Sequence, residues 1–80
     1  MLFSDLKNIF NNPIIVGRLP KKKIKYISDH SKNVDGNTLL VINKKKNFKL
    51  SYLKESISKN LNTIITNSFL KNCSLNQIIV

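Results

Sequence analysis

Short apolar clusters alternate with polar, turn-rich stretches along this chain, and the spacing inside each cluster assigns it a conformation. Leu2, Phe3, Leu6, Ile9 and Phe10 recur at intervals of three and four, the period of one helical stripe. Ser4 can cap that helix with its hydroxyl, Asp5 suits the positive end of its dipole, and Asn11-Asn12-Pro13 stops it. Ile14–Val16 reads as a short extended segment closed by Gly17, with a polar connector at 20–23. Residues 24–28, rich in β-branched and aromatic side chains, predict a strand. A turn-rich loop follows at 29–37. Its Asp35-Gly36 pair is a hairpin signal set in a stretch too long for a two-residue turn.

Thr38–Ile42 is a continuous apolar run of the kind that forms a strand buried on both faces, and 43–49 is a charged loop. Leu50, Leu53, Ile57 and Leu61 fit one helical face, with Ser51 as its cap and Glu55 to Lys59 as a favourable i,i+4 pair. Thr63–Thr66 is another short strand, 67–75 a short helix or loop, and 77–80 a final strand. Strand, helix, strand and strand again predict an α/β fold with some parallel pairing. The expected form is a small three-layer-like domain. It has a mixed or parallel sheet of about four to five short strands and two to three helices.

Composition narrows the function more than it specifies one. Eighty residues allow a single small domain over 1–80 and leave no room for separate nucleotide and substrate domains. The net charge of +10 invites an anionic partner. Twelve Asn, thirteen Lys and eleven Ile occur beside no Ala, however, and those three have A/T-rich codons, so part of the charge carries no partner information. One cysteine, Cys73, excludes an internal disulfide framework, and its simplest role is a small thiol in or near a core. No apolar run approaches the ~20 residues of a membrane span, and Asp5 and Lys7 interrupt any signal-peptide pattern, which predicts a cytoplasmic protein without a membrane partner.

The usual catalytic patterns are missing. Gly17 and Gly36 stand far apart, so there is no Gly-rich phosphate loop. His30 is the lone histidine, and Asp5, Asp29, Asp35 and Glu55 are scattered, so no metal site is expected. Nothing in the sequence brings Cys73 and His30 together as a nucleophile and base. Catalysis by this chain alone is not expected.

Residues 24–41 read IKYISDHSKNVDGNTLLV. This stretch resembles the N-terminal domain of the Mur ligases, in particular those that add the third residue or the final dipeptide to UDP-N-acetylmuramoyl peptides. The family pattern runs Ile-x-x-Ile-x-x-Asp-Ser-Arg-x-Val-x-x-Gly-Asp-Leu-Phe-Val. Ile24, Ile27, Ser31, Val34, Leu39 and Val41 match it in register, Leu40 takes the aromatic position, and Lys32 stands where Arg is usual. Without a gap, residues 44–66 resemble the following Lys-Gly-Glu-Asn-Phe-Asp-Gly-His stretch, helix and strand, with Asn47 and Phe48 matching as they stand. The terminal Ile78-Ile79-Val80 sits where the family has its last strand. His30, Asn37, Thr38, Lys45 and Leu50 depart from the pattern, and the last two replace glycines that allow close backbone approach to a ligand.

The resemblance implies a substrate-binding module of a peptidoglycan-precursor ligase in cell-wall synthesis. It implies that Ser31 contacts the uridine part of a UDP-sugar, with Lys32 beside it among the substrate-binding residues; the loop of Lys44, Lys46, Asn47 and Phe48 follows a strand end, where it can meet the diphosphate. ATP and magnesium would belong to further ligase domains, which become partners of this one, and the chain's end in an apolar run fits the first domain of a longer protein. Competing readings stay open. Ser31 also suits a turn hydrogen bond, and 44–48 also suits a solvated charge run. Lys21, Lys22 and Lys23 form a solvated connector or face an anionic partner. Tyr26, Phe48 and Tyr52 can stack on bases, although packing is the simpler account. A small basic nucleic-acid-binding protein and a degenerate Mur-type scaffold are the alternatives.

Overall fold

The computed structural model describes residues 1–29, 34–43 and 50–80, with the backbone alone at 50–52. Five strands form one mixed sheet in the order β1-β5-β4-β3-β2. They are β1 (Ile14–Val16), β2 (Tyr26–Ser28), β3 (Thr38–Ile42), β4 (Thr63–Thr66) and β5 (Asn76–Ile79), with helix α1 (Leu50–Ser58) between β3 and β4. Strands β2 to β5 are mutually parallel, and β1 runs antiparallel against β5, pairing Ile15 with Ile78. The α/β expectation therefore holds.

Alternation along the strands divides the core into two halves. Leu40, Ile42 and Ile64 point to one face and pack with Leu53 of α1, Leu61, Val34, Leu70 and Leu75. Leu39 and Ile78 point to the other and pack with Phe3 and Leu6 of a 3-10 segment, Phe3–Asn8. A helix, a sheet and a 3-10 turn thus form three thin layers, each face carrying its own apolar set. Cys73 is half-buried against the α1-side cluster, the structural role expected for it.

Several local expectations change. The N-terminal stripe forms a 3-10 segment, and Ser4 lies inside it instead of capping it; the Asp5 carboxylate accepts from the Leu2 N–H at 2.9 Å. The Asp35-Gly36 pair makes no hairpin. It turns the chain into β3, which lies parallel to β2. Ile57 stays 39% exposed, because α1 ends one residue later and the buried face runs through Leu53 and Ser56. Leu61 still reaches the core from outside the helix. Asn60 takes the left-handed conformation (φ 69°), and the Leu61 and Asn60 N–H groups bond back to the Ser56 and Ile57 carbonyls, a Schellman ending with Asn in place of Gly. Ser51's side chain lies outside the described residues. The Glu55–Lys59 pair forms at 3.5 Å.

Parallel neighbours usually need a crossover of about a dozen residues or more. Here β4 passes to β5 through 67–75, without a helix. Leu70 and Leu75 do the work of a helix face by entering the α1-side core. The side chain of Gln77 fixes this connection from the adjacent strand: its amide donates to the Leu70 carbonyl at 3.0 Å and accepts from the Leu70 N–H at 2.9 Å. A side chain supplies here what a sixth strand's backbone would supply.

Candidate functional site

Ligands in open α/β sheets bind beyond the carboxyl ends of the parallel strands. In this domain that edge is polar. Ser28 ends β2 and Asp29 follows it, Asn43 follows β3, and Asn67 and Ser68 follow β4. The Asn67 side-chain amide donates to the Asn43 side-chain oxygen Oδ1 at 3.0 Å, tying the ends of β3 and β4 together. The Thr66 hydroxyl donates to the Ser68 carbonyl at 2.8 Å and accepts from its N–H at 3.2 Å, which turns the chain away from the sheet.

The six residues implied as substrate contacts, Ser31, Lys32, Lys44, Lys46, Asn47 and Phe48, all lie outside the described residues, as does His30. Their attachment points are defined. Segment 30–33 follows Asp29, just past the carboxyl end of β2, and segment 44–49 follows Asn43, just past the carboxyl end of β3. Because β2 and β3 are adjacent and parallel, Asp29 and Asn43 lie at the same edge of the sheet. Sequence spacing alone does not provide that proximity.

The opposite edge is built around the turn 35–38. The Asp35 carboxylate accepts from the Asn37 N–H at 2.8 Å and from the Thr38 hydroxyl at 3.0 Å, while the Asp35 N–H donates to that hydroxyl at 3.1 Å. The Asn37 bond holds the carboxyl below its ordinary pKa, helped by the Thr38 bond and by the positive charges of Lys22 and Lys25. The Asn62 amide donates to the Gly36 carbonyl and the Asn37 amide to the Lys23 carbonyl, both at 2.8 Å. All these groups are satisfied by the chain itself, so the turn is structural.

Tyr26 departs from the packing account. It is 61% exposed on the edge strand, and Ile27 beside it is 71% exposed, with Lys22, Lys23 and Lys25 also at the surface. The side chains of Phe48 and Tyr52 lie outside the described residues. Among the described residues no group of three or more His, Cys, Asp or Glu comes together, and no helix is long and apolar enough to cross a membrane. No protein-family model, curated protein or solved structure matches the chain.

Proposed function

We propose that this domain is a UDP-sugar-binding module of Mur-ligase type, which anchors a UDP-N-acetylmuramoyl peptide and does not turn it over alone. One observation supports the reading: Asp29 and Asn43, the described residues that precede the segments holding Ser31–Lys32 and Lys44–Phe48 in the sequence, follow the carboxyl ends of the adjacent parallel strands β2 and β3. The resemblance over 24–66 implies a uridine contact in the first segment, the second can meet the diphosphate, and a shared edge is what one ligand spanning both requires. In this reading Ser31 exchanges hydrogen bonds with the uridine, and Lys44 and Lys46 meet the diphosphate as mobile charges. Asn47 and the Phe48 N–H supply directed bonds. Holding the remote nucleotide positions the peptide end for chemistry in other domains.

Exposed Tyr26 among Lys22, Lys23 and Lys25 favours a second reading, a basic surface that stacks on and neutralises single-stranded nucleic acid. Titration separates the two. Saturable binding of UDP or a UDP-sugar, weakened by Ser31→Ala with the melting temperature unchanged, supports the first. Salt-sensitive binding of an oligonucleotide, lost in Tyr26→Ala and accompanied by no UDP response, replaces it. A folded chain that binds neither leaves the scaffold role.

A further inference from the structure

A cleft of about 260 Å³ opens where the 3-10 segment meets β1 and the turn after it, lined by Ser4, Lys7, Ile15, Gly17, Arg18 and Leu19. It is distant in the fold from the edge discussed above. Gly17 lies against Asn76 at the start of β5, whereas the proposed UDP edge lies at the strands' carboxyl ends. Two cations and a hydroxyl share this cleft with an aliphatic floor. Neither Lys7 nor Arg18 has an ion-pair partner among the described residues, and the Ser4 hydroxyl makes no hydrogen bond there.

The backbone under these groups is held in place. Gly17 has φ +91°, and the space a Cβ would fill there is taken by the Asn76 carboxamide. That same carboxamide accepts from the Arg18 N–H at 3.1 Å, so the root of Arg18 is pinned to the sheet. Ser4 is half-buried and its N–H donates to the Pro20 carbonyl at 3.1 Å. Ile15 and Leu19 belong to the core on this face. Three donors on two anchored segments, the 3-10 turn and the turn after β1, therefore line one small cleft together with Ile15 and Leu19.

We propose that this cleft binds a small phosphomonoester, the phosphate held by Arg18, Lys7 and the Ser4 hydroxyl and the organic part resting on Ile15 and Leu19. The two cations match the charge of a phosphomonoester dianion, and the guanidinium fork fits its oxygens in pairs. The volume falls just below the ~300 Å³ at which drug-sized pockets begin, which limits the organic part to a short chain or one ring.

An amide NMR titration of the folded chain with phenyl phosphate, inorganic phosphate, benzoate and sodium chloride at matched ionic strength tests this. Saturable shifts centred on Ser4–Lys7 and Gly17–Leu19 are expected, with phenyl phosphate tighter than inorganic phosphate or benzoate. A Kd at or below about 1 mM is expected for phenyl phosphate. Arg18→Gln and Lys7→Gln should each weaken it about tenfold or more with the melting temperature retained, whereas Lys71→Gln should leave it unchanged. Shifts that follow ionic strength alone overturn the proposal. So does equal affinity in the Arg18→Gln and Lys7→Gln variants, or an equal loss in Lys71→Gln.

Discussion

Replacing Gln77 by leucine tests whether one side chain holds the β4–β5 connection. Gln77 is 1% exposed and its amide satisfies both backbone groups of Leu70, a residue itself buried in the α1-side core. Leucine has similar volume but neither donor nor acceptor. Each of the two Leu70 groups left unpaired in an apolar interior costs ~1–3 kcal/mol, partly offset by ~1–2 kcal/mol of added apolar burial, so the middle of these ranges gives a net loss of about 2.5 kcal/mol. Globular domains hold ~0.05–0.15 kcal/mol per residue, so a chain of 80 residues has about 4–12 kcal/mol in total.

Urea unfolding followed by circular dichroism should show a clear fall in midpoint with little change in slope. Hydrogen exchange should show the Leu70 amide losing protection before the β3 and β4 amides. Gln77→Glu gives a second measure. A protonated carboxyl can both donate and accept, while a carboxylate cannot donate, and burial raises the pKa of the introduced acid above its unfolded value. That variant should be nearest the parent at low pH and should lose stability as pH rises through the unfolded carboxyl range. A Gln77→Leu variant within ~0.5 kcal/mol of the parent, beside an unchanged Leu70 exchange rate, would falsify the argument.

Folding lowers the Asp35 pKa, so its ionised form favours the folded state; this contribution is complete above the ordinary value of 3.8 and is lost as pH falls through the lower folded value. Acid titration of Asp35→Asn should therefore lack that part of the parent's acid destabilisation, and an unchanged acid limb contradicts it. Gly17→Ala meets both a positive φ and the Asn76 carboxamide, and a loss of at least ~1 kcal/mol is expected in urea unfolding. Adding Asn76→Ala should relieve the contact but not the backbone strain. Phe3→Ala empties a fully buried site on the 3-10 face and should cost ~3–5 kcal/mol, read as a large drop in melting temperature. If Phe3→Ala melts like the parent, the 3-10 layer contributes nothing to the core.

The abundance of asparagine acquires a structural use. Asn12, Asn60 and Asn72 take positive φ values of 51°, 69° and 57°, in a chain that contains two glycines. Asparagine is among the few residues other than glycine that visit this region readily. The asparagine-rich composition thus supplies turn residues where the backbone needs a positive φ.

The amino-acid sequence by itself determined where the main strands fall. Ile14–Val16, Thr38–Ile42 and Thr63–Thr66 are bounded as the apolar runs are, because Gly17, the 35–37 turn and the polar residues around each run end them locally. The α1 register was legible through Leu53, and Glu55 and Lys59 pair as their spacing requires. Tertiary structure decided how those pieces meet. The antiparallel placement of β1 against β5 joins residues some sixty positions apart, a choice no local pattern encodes. Burial of Thr38, Ser56, Thr63 and Gln77, and exposure of Ile27 and Ile57, follow from sheet order and helix end, not from residue type. The proposed substrate contacts were legible as residue types in two stretches of the sequence, while the shared edge of Asp29 and Asn43 depended on β2 and β3 lying side by side and parallel. The cleft beneath Arg18 left no signal in the sequence at all. Its donors come from the 3-10 segment and the turn after β1, and their shared apolar cluster on one face of the sheet, with the Ser4–Pro20 backbone bond, brings them to one space.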